Sequence, residues 1–82
     1  MSNWIVYILE CKDKTLYTGI TNNIERRLSQ HETGTGAKYT KGRGPFQVVY
    51  TENCKDRSEA SRRESEIKQL SKREKLNIKN KM

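Results

Sequence analysis

Five side chains in this sequence combine the chemistries of proton transfer, anion clamping and metal ligation: Tyr7, Tyr17, Arg27, His31 and Glu64. A phenol or an imidazole can move a proton in a reaction. A guanidinium presents a planar fork that matches phosphate oxygens. A carboxylate is a hard oxygen ligand of the kind Mg²⁺ takes. Arg27 and His31 lie four apart, so on a helix they share a face. Arg27 also flanks the apolar stripe that begins at Ile24. Glu64 falls inside the helical repeat Ala60, Ile67, Leu70. Each residue alone has an ordinary explanation. A strand tyrosine packs half-buried, an arginine beside a stripe snorkels, a lone histidine is incidental, and a glutamate pairs with Arg62, Arg63 or Lys68. The signal is joint: polar groups recur where a core face normally excludes them.

Other chemistries fit less well. Gly34 to Gly44 (GTGAKYTKGRG) resembles a phosphate loop only in composition. No Gly-Lys-Ser/Thr follows at the required spacing, and the stretch runs from a helix to a strand rather than the reverse. Lys38, Lys41 and Arg43 within it suit a basic loop that grips a phosphate backbone. Cys11 and Cys54 stand far apart and form no zinc pattern. With one His, no Ser-His-Asp or Cys-His set is convincing.

These groups need elements to hold them. Residues 4–10 (WIVYILE) are β-branched and aromatic and predict a mostly buried strand. Lys12-Asp13-Lys14 predicts a turn, and residues 15–19 a second strand with Gly19 at its exit. Asn22 with Glu25 is a helix-start signal; Ile24, Leu28 and His31 then mark one face of a helix over about 23–32. A glycine-containing loop covers 33–45, and residues 46–51 predict a third strand. Asp56 with Glu59 starts a helix that runs to about residue 70. Ser71 with Glu74 starts a short last helix bearing Leu76 and Ile78. The order is β-β-α-β-α-α: an α+β fold with a three-stranded antiparallel sheet and flanking helices, occupying residues 1–82 as one domain. Three strands with helical cover are about the minimum for independent stability.

Composition narrows the partners. A chain of 82 residues buries only about 60% of its unfolded surface, so a shallow cleft for a polymer is expected rather than a deep pocket. The net charge is +7. The first 24 residues are balanced, and the excess lies beyond the first hairpin. Such a surface concentrates polyanions. The first ten residues carry no basic n-region, and their apolar run is too short for a signal or a span. The expected compartment is the cytoplasm, with both thiols reduced. A membrane-surface role would need Ile67, Leu70, Leu76 and Ile78, which the core requires.

Together these residues resemble the GIY-YIG endonuclease family, closest to its small stand-alone members. Ile5-Val6-Tyr7 stands where the first triplet falls, and Tyr17-Thr18-Gly19 where the second does. Arg27 and His31 match the helix motif that follows, and Glu64 the metal-binding glutamate. Two positions depart from the pattern: Ile5 replaces the first glycine, and Asn77 is the nearest match to an asparagine that closes the site in some members. The resemblance implies hydrolysis of phosphodiester bonds in DNA, structure-directed, in repair or processing. It implies one divalent metal ion, Mg²⁺ or Mn²⁺, on Glu64. Tyr7, Tyr17 and His31 all remain open as the general base. Gly19 would allow close backbone approach, and Lys38, Lys41 and Arg43 would bind the backbone. The competing reading is a non-catalytic module on the same frame that binds DNA or RNA. Either would act at no membrane, and a protein partner could supply targeting.

Overall fold

The computed structural model describes residues 4–33 and 44–79, with the side chains of Lys72, Leu76, Ile78 and Lys79 left aside. Lys38, Lys41 and Arg43, and most of the glycine loop, lie outside the described residues. The elements are β1 (Trp4–Glu10), β2 (Leu16–Thr21), α1 (Ile24–Glu32), β3 (Gln47–Cys54), α2 (Arg57–Lys68) and α3 (Lys72–Lys79). The strands form one antiparallel sheet of order β2-β1-β3.

β1 is central because its sequence can be buried on both faces. Val6, Tyr7, Ile8 and Leu9 have no exposed surface. Val6 and Ile8 pack with Val49, Cys54, Ala60 and Ile67 beneath α2. Tyr7 and Leu9 point the other way, to Cys11, Phe46, Ile24 and Leu28 beneath α1. The sheet is thus a layer between α1 on one face and α2 on the other. Both cysteines are free and buried, in the two different clusters. A register shift between Ile8 and Leu9 against β3 leaves Val49 as the extra residue. This bulge turns Val49 and Tyr50 toward the α2 side and Val48 toward the α1 side.

Three expectations about local structure need correction. The helix cap is Asn23, not Asn22: its side chain accepts a hydrogen bond from the Arg26 N–H at 3.0 Å. The cause is Thr21, whose hydroxyl accepts from the Asn23 N–H at 3.0 Å and donates to the Asn23 carbonyl at 3.2 Å. That turn holds Asn23 extended and aims its side chain at the helix start. Nor does Gly19 lie at the exit of β2. It sits inside the strand, opposite Tyr7, and the ladder continues to the Ile5–Thr21 pair. The other two helix starts follow their capping signals. Asp56 accepts from the Glu59 N–H at 2.8 Å, and Ser71 and Glu74 exchange reciprocal bonds. β3 runs three residues further than expected, to Cys54, which pairs with Trp4.

Candidate active site

β2 is an edge strand, and the candidate site wraps around it. Tyr17 and Gly19 face the α1 side, while Leu16, Thr18 and Ile20 face α2 by strand alternation. Gly19 leaves space that Tyr7 fills. A Cβ built on Gly19 would stand 2.5 Å from the Tyr7 hydroxyl oxygen and 2.7 Å from Cζ. The glycine is required here for proximity, since any side chain would expel the phenol.

The Tyr7 oxygen joins two residues of α1. It lies 2.9 Å from His31 Nε2 and accepts a longer bond, 3.4 Å, from Arg27 Nε–H. The phenol accepts from Arg27, and whether it donates to or accepts from His31 Nε2 depends on which ring nitrogen carries the proton. Burial lowers the His31 pKa, and the Arg27 charge lowers it further. Burial also raises the Tyr7 pKa, outweighing the opposing bond from Arg27. The resting pair is a phenol and a neutral imidazole. Positive charge from Arg27 and His31 therefore does not make Tyr7 a phenolate: His31 is neutral, and desolvation beats the guanidinium.

Arg27 is half-buried and donates through Nη1 to Gln30 at 3.1 Å. Its charge is secured chiefly by the Tyr7 bond, with Tyr17 adding to it. Tyr17 closes the group. Its ring centroid lies 5.3 Å from that of His31 and 6.4 Å from that of Tyr7. Phe46 seals the far side of His31 at 5.9 Å.

Glu64 approaches from α2. Its charge is felt at Tyr7, where it opposes ionisation. The side chain is only 20% exposed and pairs with Lys68 at 3.2 Å, whereas neighbouring Glu66 is 58% exposed and pairs with Arg63. Burial thus favours Glu64 over Glu66 as the carboxylate at the edge strand. No cluster of three or more potential metal ligands occurs among the described residues. One hard carboxylate still fits Mg²⁺, which commonly keeps several waters and takes further oxygens from a phosphate. The Lys68 pair is no obstacle, since such i,i+4 pairs contribute only about 0.3–0.5 kcal/mol.

A family model described as "GIY-YIG catalytic domain" matches residues 3–77. The chain belongs to the GIY-YIG family. It is 59% identical over 73 residues to a UPF0213 protein of Oceanobacillus iheyensis, covering 89% of this chain and 85% of that protein. Two solution NMR structures share the fold. One, a UPF0213 protein from Bacillus halodurans, is 51% identical with a TM-score of 0.59, covering 93% of this chain and 81% of the other. A second, from E. faecalis, is 37% identical with a TM-score of 0.65, covering 98% and 86%. GIY-YIG is a nuclease family, which implies nucleic acid as the substrate class.

Within this GIY-YIG domain, burial separates the residues by reach. Tyr7 has no exposed surface and His31 only 1%. Tyr17, Arg27 and Glu64 are half-buried and can meet a ligand. Sequence reasoning missed Gln30, Phe46 and Thr18. The Thr18 hydroxyl is buried and has no hydrogen-bond partner among the described residues. Its signal was its place in the second triplet, between Tyr17 and Gly19. Gln30 and Phe46 carried none, because an exposed-looking Gln and a strand-flanking Phe are ordinary.

Proposed function

We propose that this chain is a metal-dependent endonuclease that hydrolyses phosphodiester bonds in DNA. The observation that carries this reading is the hydrogen-bonded chain from Arg27 through Tyr7 to His31, buried beneath the half-exposed Tyr17 at an edge strand. Such a group has no packing purpose, since an apolar residue at each place would fill the same volume without polar atoms. In this reading Arg27 clamps the phosphate and offsets the charge that develops there. Tyr17, the phenol with access to solvent, accepts a hydrogen bond from the attacking water and orients it. To take the water's proton it must first release its own to solvent, and the nearby Arg27 guanidinium favours that phenolate. Tyr7 and His31 work from behind by fixing the position of Arg27. Glu64 would hold the metal ion, which when bound supplies Lewis-acid stabilisation of phosphate oxygens. Lys38, Lys41 and Arg43 would add backbone grip of a salt-sensitive, sequence-independent kind.

The test is incubation of the protein with labelled plain, nicked, flapped and single-stranded DNA, and one RNA strand, in Mg²⁺ or Mn²⁺. Glu64→Ala and EDTA serve as controls. DNA cleavage that needs metal and disappears in Glu64→Ala is the expected result. The alternative is a non-catalytic binding module on the same fold, in which Glu64 serves only as the partner of Lys68. Equal binding by wild type and Glu64→Ala, with no substrate cut, would favour that module and end the nuclease reading.

A further inference from the structure

Beside the candidate active site, where β2 ends and α1 and α2 begin, lies a cleft of about 240 Å³. Trp4, Arg26, Arg27, Gln30 and Arg57 line it, with no carboxylate among the lining residues. Arg27 is already committed to Tyr7 and Gln30. Arg26 and Arg57 are exposed and make no ion pair with a described residue. The Arg57 guanidinium carbon sits 5.8 Å from the centroid of the Trp4 ring, a cation–π contact. Trp4 packs against the α2-side core but remains half-buried, so part of the indole faces the cleft.

Two uncommitted guanidiniums would suit any polyanion. The indole makes the difference. A base inside a duplex hides its faces in the stack and shows only its edges in the grooves. An unpaired base offers a face, and aromatic and Arg planes are the surfaces on which such bases stack. Because Arg27 belongs to both the cleft and the active site, a strand lying in one continues into the other.

We propose that the cleft of Trp4, Arg26 and Arg57 holds one unpaired nucleotide of the substrate strand, adjacent to the bond that is cut. Its base lies against the Trp4–Arg57 pair, and its phosphate lies between Arg26 and Arg57. The proposal rests on the nuclease reading and adds a substrate preference: strands with a single-stranded segment at the cut site over continuous duplex.

Trp4 is the only tryptophan of the chain, so its fluorescence reports this cleft directly. Glu64→Ala protein in EDTA would be titrated with a thymidine 12-mer, with a closed hairpin duplex of similar length, and with the 12-mer made abasic throughout. Total binding would be followed in parallel by anisotropy of a label on the DNA. The expected result is saturable Trp4 quenching by the 12-mer. Quenching by the duplex and the abasic strand should be absent or at least fivefold weaker. Arg57→Ala should weaken binding of the 12-mer roughly tenfold, and binding of the abasic strand clearly less. Equal quenching by all three nucleic acids would overturn the proposal, as would tight binding with no fluorescence change. A parallel cleavage assay on flapped DNA separates the two levels. Cleavage without 12-mer quenching removes the cleft proposal and leaves the nuclease standing. Quenching with no substrate cut removes the nuclease reading, and the claim of a place beside the cut bond goes with it.

Discussion

At the scale of single residues, the site depends on one missing side chain and one hydrogen bond. Gly19→Ala would place a methyl 2.5 Å from the Tyr7 oxygen. Tyr7 is wholly buried and cannot swing into solvent, so the strand pair or the phenol must shift. Overpacking of this kind costs about 1–3 kcal/mol. For a domain of this size each kcal/mol lowers Tm by roughly 4–8 °C. Calorimetry of Gly19→Ala should show a fall within the resulting range and loss of activity; an unchanged Tm would mean that the contact is not tight. The Tyr7–His31 bond carries a pH signature. The His31 pKa is lowered in the folded state relative to 6.5, so the unfolded chain binds its proton first. Stability is then complete above about pH 6.5 and declines as pH falls below it toward the folded value. Protonated His31 sets a second positive charge near Arg27, and that repulsion disturbs the arrangement that holds the guanidinium. Activity and Tm should fall together in this window. His31→Gln should flatten the Tm dependence there; the same acid slope in wild type and variant would exclude His31 as its origin.

At the scale of elements, α1 matters most because it delivers both Arg27 and His31, and it is only nine residues long. Its start is fixed by Asn23, so Asn23→Ala should cost about 1 kcal/mol and lower activity through misplacement of Arg27. Asn22→Ala should change Tm little. Thermal melts of the two variants decide the matter, and a larger loss for Asn22→Ala would refute the cap assignment. The same pair of residues shows what the sequence could reveal. That a helix begins near residue 23 was legible from the polar cap type and the 24, 28, 31 spacing. Which asparagine caps it was not, because the choice is made by the Thr21 hydroxyl, a contact within a turn. β1 was legible as a buried strand from its unbroken apolar run. Gly19 was misjudged because a glycine near a strand end usually marks its stop, whereas here cross-strand proximity to Tyr7 is what requires it. Glu64 was legible only jointly with the other motif residues, since on α2 it looks like any ion-paired glutamate. Its inward position follows from how Ala60 and Ile67 seat the helix on the sheet.

At the scale of the whole molecule, size and charge set how the protein meets a polyanion. The longest extent is 31 Å, about nine base pairs at roughly 3.4 Å per pair. Each strand carries about nine phosphates over that length, and one face of so small a body meets roughly half of one strand's, about four. The net charge of +7 is ample to neutralise them, so affinity should be modest and mainly electrostatic. With about four phosphates engaged, the logarithm of the binding constant should fall against that of salt concentration with a slope near −3.6 for duplex. A rise from 50 to 200 mM salt then weakens duplex binding about a hundredfold. Fluorescence anisotropy with Glu64→Ala across that range measures the slope. Single-stranded DNA, with a slope of only about −0.7 per phosphate, should lose less affinity over that range than duplex, and stacking of a base on Trp4, which is not ionic, adds affinity at every salt concentration. A slope near zero for duplex would mean that the basic surface is not the binding surface. A single-strand affinity no higher than that of duplex at 200 mM would leave charge as the whole of the affinity and take the indole out of it.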